Sequence, residues 1–319
     1  MKAYQESVLA LSGGVGGAKL ALGLADVVAP GQLHVLANTG DDFRHLGLHI
    51  SPDIDTLLYT LSGKANEVLG WGLANETWNV MDALERLRGD TWFRLGDNDL
   101  ATHLWRTAQL DEGASLLQIT DTLARQLSIA SHIHPMCEER VSTTVHSEGG
   151  DLAFQHYFVR EQCKPAVTGF SFEGINQASP NSNVMALLAD EAFSTIVVCP
   201  SNPFVSVDPI LQIPGMWTTL RDSAAPLVLV SPIVSGMALK GPAAKMMLEL
   251  GVPVTAFGVA QHYCDLYPDL LDYFVIDESD ATLATEIASL GVEVAIAPTV
   301  MKNRNDKQRL AQFVLDLVR

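Results

Sequence analysis

Two acidic runs lie close together near the start of the chain, Asn38-Thr39-Gly40-Asp41-Asp42 and Ser51-Pro52-Asp53-Ile54-Asp55-Thr56. Their four carboxylates are hard oxygen donors, the chemistry of magnesium or calcium. Magnesium usually takes one or two carboxylates and completes its shell with water and substrate phosphate, so a pair suffices. Asp41 and Asp55 are the expected pair, both as metal ligands and as catalytic groups. Asp53 stands just before the apolar residues that open a helix and reads as its N-terminal cap, while Asp42 fits either a turn or the site.

Upstream, the apolar run that includes Leu9, Ala10 and Leu11 breaks into Ser12-Gly13-Gly14-Val15-Gly16-Gly17-Ala18-Lys19 and then a helical pattern. Without Cβ atoms, glycines let a phosphate approach backbone amides and the positive end of the following helix. Gly13, Gly14, Gly16, Gly17 and Lys19 are therefore expected to hold an anionic ligand, although a ligand-free strand-to-helix turn would use the same residues. The run fits neither common phosphate fingerprint: Leu20, not Ser or Thr, follows Lys19, and Lys19 stands where the last glycine of G-x-G-x-x-G would fall.

A third acidic turn, Gly96-Asp97-Asn98-Asp99, opens a helix bearing His103 and is flanked by Arg94 and Arg106. Its polar groups could meet a substrate, yet spacing alone favours helix capping by Asp97 or Asn98, with His103 structural. Pro200-Ser201-Asn202-Pro203 and the turn after Val230 each follow an apolar run, where Ser and Asn donors can bind a base or phosphate or simply shape a turn. His45 and His49 lack a third ligand, so zinc is disfavoured. Cys137, Cys163, Cys199 and Cys264 are scattered, and there is no Gly-x-Ser-x-Gly elbow, so neither a disulfide framework nor covalent hydrolase chemistry is indicated.

The elements that must position these groups follow from short apolar runs at 33–37, 195–199, 227–230, 252–257, 273–276 and 292–297, read as buried parallel strands. Helical patterns at 243–250, 281–290 and 306–318 alternate with them. This predicts an α/β fold with a doubly wound, mostly parallel, Rossmann-like sheet. Residues 76–88, 97–110 and 115–127 read as further helices, and 142–160 as a hairpin turning at Glu148-Gly149-Gly150-Asp151. Residues 64–190 are accordingly expected to form an inserted helical and β-hairpin subdomain that caps the sheet's C-terminal edge, with 1–63 and 191–319 as the nucleotide-binding core.

With 319 residues, 48% of them hydrophobic, the chain can bury a substantial core. Its net charge of −17 argues against nucleic-acid or anionic-membrane partners, so an anionic ligand needs local amides, cationic side chains or a metal ion. No signal-peptide pattern or membrane-length apolar run is present, and the cytoplasm is the expected location.

Taken in order, the glycine run, the Asn38 and Ser51 runs, Gly70-Trp71-Gly72, Asn75-Glu76-Thr77-Trp78, the Gly96 to His103 turn, Pro200-Ser201-Asn202-Pro203 and Ile213-Pro214-Gly215 resemble the 2-phospho-L-lactate transferase family over nearly the whole chain. The resemblance implies a magnesium-dependent transferase of coenzyme F(420) biosynthesis. Such an enzyme moves a group derived from phospholactate, phosphoenolpyruvate or 3-phosphoglycerate from a guanosine diphosphate carrier to the ribityl hydroxyl of the deazaflavin Fo, and releases GMP. It also implies a homodimer, ties Asp41 and Asp55 to the metal and the deazaflavin, and places Gly13 to Gly17 with Ser201, Asn202 and Pro203 on the nucleotide side. Asp97 joins Asp41 and Asp55 as a candidate acceptor of the hydroxyl proton. The family commonly has Arg where this chain has Asn98, so a cationic substrate contact is absent or is supplied by Arg94. The alternative reading is a sugar-nucleotide-binding regulatory factor that shares the glycine loop and uses no deazaflavin.

Overall fold

The computed structural model describes residues 3–238 and 241–319. Seven parallel strands form the central sheet: β1 (Ser7–Ser12), β2 (Leu33–Ala37), β3 (His132–Pro135), β4 (Phe193–Val198), β5 (Leu227–Val230), β6 (Tyr273–Asp277) and β7 (Glu293–Ala297). Their spatial order is β7-β6-β5-β4-β1-β2-β3, so the direction of winding reverses between β1 and β4. Ligands of open α/β sheets bind outside the strand ends at such a reversal. The expected Rossmann-like architecture is present.

Alternation along the strands explains the two helical layers. Leu9 and Leu11 of β1, Ile196 and Val198 of β4 and Phe274 and Ile276 of β6 face one core. Val8, Ala10, Val197 and Val275 face the other. Because both faces are covered, the strands read as continuous apolar runs. The second layer contains α1 (Gly14–Val27), α2 (Pro52–Leu61), α5 (Leu116–Gln126) and the C-terminal helix Arg304–Leu317. Between α2 and α5 lie α3 (Asn79–Arg86) and α4 (Asp97–Asp111).

Two expectations need correction. The run 252–257 is not a strand: Thr255 caps a helix over Ala256–Leu266, its Oγ1 accepting from the Gly258 amide at 3.1 Å. The proposed insertion 64–190 is not a single insertion either, because its residues His132–Pro135 supply β3, paired in parallel with β2, and α5 packs on them. Two excursions remain, one on either side of α5 and β3. The second contains the expected hairpin, Ser142–Ser147 with Leu152–Ala153, widened by Val167–Glu173 into a three-stranded antiparallel sheet.

Candidate active site

The glycine run is the first turn of α1, and it lies at the β1/β4 reversal. A Cβ on Gly13 would come within 2.8 Å of the Asp53 Oδ2, and one on Gly17 within 2.6 Å of the Ser201 Oγ. Gly16 similarly admits the Pro200 carbonyl. These three glycines thus let the β4 loop and α2 close onto the turn. Gly14 differs: its φ is +66° and it faces open space, a position where only glycine is unstrained and a ligand can reach the backbone. The Gly13 amide donates to the Ser201 Oγ at 3.2 Å, and the Gly14 amide to the Asp53 Oδ1 at 2.6 Å.

Asp53 therefore faces the site rather than capping its own helix, where no side-chain cap bond forms. Its Oδ2 accepts from the Asn38 Nδ2 at 2.9 Å, and the same nitrogen donates to the Asp41 Oδ1 at 3.1 Å. A single amide thus spans the two carboxylates. Asp42 joins them: its Oδ2 accepts from the Ser51 hydroxyl at 2.7 Å and meets the His49 Nε2 at 3.1 Å, while its Oδ1 is buried without a partner. Burial pushes the Asp53 carboxyl up to about 6, with the Asp42 charge adding to it. Burial also drives Asp41 well above the ordinary carboxylate range, reinforced by the charges of Asp53 and Asp42. The cluster holds concentrated negative charge met mainly by neutral donors.

Asp55, the other expected metal ligand, is engaged differently. Successive helical residues are turned by about 100°, so Asp53 and Asp55 leave α2 on opposite sides. Both Asp55 oxygens accept from the Arg106 guanidinium, one of these bonds being Arg106 Nη1 to Oδ2 at 3.1 Å. Arg106 is fully buried. His103 Nδ1 lies 3.6 Å from the Asp55 Oδ2, and its Nε2 lies 3.2 Å from the Asp99 Oδ1, which also accepts from the Tyr59 hydroxyl at 2.6 Å. This buried network joins α2 to α4.

Asp97, a further candidate, is engaged in helix capping. Its carboxylate accepts from the Thr77 hydroxyl at 2.6 Å, the Asn79 side chain at 2.8 Å and the Val80 amide at 3.1 Å, and so caps α3. Those bonds, Thr77's foremost, hold it at about 2, too acidic to take a hydroxyl proton near neutrality. Glu76 returns the favour, accepting from the Asn98 amide at 2.8 Å, the Asn98 side chain at 3.1 Å and the Asp99 amide at 2.8 Å. Asn98 is thereby engaged with Glu76, and the exposed Arg94 stacks 4.8 Å from the centre of the Trp78 ring. Lys19 directs its ammonium to the Met301 carbonyl at 3.3 Å.

In the β4 loop, Asn202 opens a π-helical turn over Pro203–Val207, its Oδ1 accepting from the Phe204 amide at 3.0 Å. The Val205 carbonyl accepts from Asn38 at 3.3 Å, tying this turn to the carboxylates. Sequence reasoning did not single out Asn38 as a spanning amide, nor Gln155, whose Nε2 reaches the Asp41 Oδ2 at 3.3 Å from the helical turn that follows the strand Leu152–Ala153. It also passed over a partly exposed aromatic group beside the cluster. Phe43 follows Asp42 directly and lies 4.9 Å from Phe93, and Trp92 lies 4.8 Å from His156 between ring centres.

The residues fit a hard divalent cation by donor chemistry, since three buried carboxylates converge electrostatically and one oxygen is unpartnered. Among the described residues no group of three or more His, Cys, Asp or Glu is placed to hold a metal ion. A shallow depression lined by Tyr4, Glu6, Gln312, Asp316 and Arg319 lies at the opposite, N-terminal edge of the sheet. Among the described residues no helix is long and apolar enough to cross a membrane.

Comparison with known proteins adds lineage to this geometry. The family model described as 2-phospho-L-lactate transferase CofD matches residues 8–310. A phosphoenolpyruvate transferase of Kitasatospora aureofaciens is 36% identical over 316 residues, covering 97% of each chain. A 2-phospho-L-lactate transferase of Methanopyrus kandleri is 36% identical over 313 residues, covering 97% of this chain and 96% of its own. One of Methanosarcina mazei is 34% identical over 308 residues, covering 97% and 99%. A crystal structure of a UPF0052 family member from Bacillus halodurans shares the fold, with a TM-score of 0.65 at 14% identity over 98% of this chain and 100% of that one.

Proposed function

Since the chain belongs to the 2-phospho-L-lactate transferase family, an enzyme family, we propose that it acts in coenzyme F(420) biosynthesis. In this reading it moves a phosphorylated three-carbon acid from a guanosine diphosphate carrier to the terminal ribityl hydroxyl of the deazaflavin Fo and releases GMP. The observation that carries the reading is end-to-end similarity at 34–36% identity to transferases of two names. Relatives bearing either name match equally well, so overall identity does not choose between phosphoenolpyruvate and 2-phospho-L-lactate as the acid.

The hydroxyl oxygen forms the new bond to the phosphorus that bears the acid, and the bond from that phosphorus to the GMP oxygen breaks. Such transfers depend mainly on positioning and charge neutralisation. The positive end of α1 would face the diphosphate, with the Gly14 amide held by Asp53 and Ser201 fixing the turn from across the winding reversal. Asp41 and Asp53, spanned by Asn38, would hold Mg2+, which supplies charge neutralisation to the diphosphate and leaving GMP when bound. A carboxylate of the cluster would take the hydroxyl proton. The aromatic group of Phe43, Trp92 and Phe93 offers a stacking surface to the deazaflavin ring.

The test is incubation of the purified protein with Fo, a guanylylated three-carbon acid and Mg2+, followed by chromatography of the nucleotides. GMP should appear in step with a deazaflavin bearing the new phosphodiester. Tight binding of the nucleotide with no GMP release, Fo present or absent, would overturn the transferase reading in favour of a regulatory binding protein.

A further inference from the structure

Gln155 reaches the carboxylate cluster from a part of the chain 114 residues beyond Asp41. Only 5% of it is exposed, and its Nε2 donates to the Asp41 Oδ2 at 3.3 Å and the Asp41 carbonyl at 3.4 Å. The neighbouring strand holds the same turn: the Thr143 amide donates to the Gly40 carbonyl at 2.6 Å. Gln155 also precedes a π-helical turn, His156–Arg160, whose Tyr157 is fully buried. π-Helical turns are rare and concentrate at functional sites. A second one, Pro203–Val207, contacts the cluster from the other side through Val205. The amide is therefore delivered on an anchored support.

We propose that Gln155 is a positioning residue that orients the Asp41 carboxylate for a divalent cation while adding no charge of its own. The inference rests on the reading of Asp41 as a cation ligand. Asp41 has one neutral donor on each oxygen, Asn38 on Oδ1 and Gln155 on Oδ2, so its orientation is fixed without an opposing charge, and outer donors of this kind commonly change metal affinity by about 10- to 100-fold. A lysine or arginine at this position would instead neutralise Asp41, as Arg106 does for Asp55.

The experiment measures Mn2+ binding to the full-length protein by electron paramagnetic resonance, with thermal melting in EDTA alongside. Gln155→Met keeps the volume and loses the donor; it should weaken Mn2+ binding by about tenfold or more while melting close to wild type. Gln155→Lys should abolish binding, and Gln155→Glu should leave the fold intact and change the pH at which Mn2+ binds. In turnover assays, Gln155→Met should raise the Mg2+ concentration needed for half-maximal rate while kcat at saturating Mg2+ stays within about threefold. Mn2+ affinity in Gln155→Met within twofold of wild type, with normal melting, would overturn the proposal. So would a wild-type protein that binds no Mn2+, which would remove the cation reading with it. A wild type that binds Mn2+ through Gln155 and Asp41 yet releases no GMP leaves this inference standing and sinks the transferase reaction instead.

Discussion

Two buried acidic clusters lie on opposite sides of α2, and their chemistry is opposite. On one side Asp55 and Asp99 meet Arg106, His103 and Tyr59, so that charge is matched by charge and α2 is bolted to α4. Burial alone would raise Asp99, yet His103, Tyr59 and Arg106 outweigh it and hold that carboxyl low. On the other side Asp41, Asp42 and Asp53 meet amides, a hydroxyl and one half-buried histidine, and burial lifts all three. The charge-balanced cluster is a structural joint. The unbalanced one stores unfavourable charge that a cation or a proton can relieve, which is the condition expected where ligands are handled.

The largest effect should come from the joint. Asp55→Ala leaves a fully buried guanidinium unpaired and should cost about 3–5 kcal/mol of stability, seen as a lower urea midpoint at unchanged slope. If the variant unfolds like wild type but has lost turnover, the two clusters have been assigned the wrong way round. The unsatisfied side should respond in the opposite sense. Asp41→Asn and Asp53→Asn should each lower GMP release about a hundredfold, equivalent to about 2.7 kcal/mol of barrier, with little loss of melting temperature. Full activity in either would remove that residue from the site.

The pH response sharpens the contrast. Asp53 binds its proton more tightly in the folded protein than in the unfolded chain, so its contribution is present below about pH 4 and is lost as pH rises through about 6. Asp41 acts in the same direction. Saturating Mn2+ should therefore raise the melting temperature more at about pH 7.5 than at about pH 5. Equal stabilisation at both values would show that the cation binds elsewhere. The smallest effects belong to the paired caps: Glu76→Ala and Asp97→Ala should each lower the urea midpoint slightly, with GMP release kept within severalfold. Because each residue caps the other's helix, the double variant should lose less than the sum of the single losses, measured by denaturant unfolding. A large rate loss confined to Asp97→Ala would restore that residue as a proton acceptor.

Much of the sheet was legible because buried parallel strands leave long apolar runs, and the runs at 33–37 and 227–230 coincide with β2 and β5. β3 was not, since His-Ile-His-Pro has too little apolar character, and its partner β2 lies far away in sequence. The run 252–257 misled because Val252 and Val254 resemble strand residues, while Thr255 is a helix cap. That Asp41 and the glycine turn lie together at the β1/β4 reversal could be anticipated from the runs that follow β1 and β2. The choice between Asp53 and Asp55 could not, because a two-residue spacing says that they diverge but not which way α2 is rotated. Asp97 carried its own sign, since a capping role fits an acidic residue at the start of a helix. Gln155 carried none, because a lone glutamine at the end of a hairpin has no spacing relation to the residues that it touches.

β3 also limits how this protein can be cut. Trimming the chain at 64–190 to obtain a minimal nucleotide-binding core would delete the outermost strand and bare the backbone edge of β2, with Val35 and Leu36 on it. An uncovered apolar edge is a template for association with other chains. The excised core should therefore precipitate or form higher-order species, whereas a shortened chain that keeps residues 116–135 in place retains its protective border.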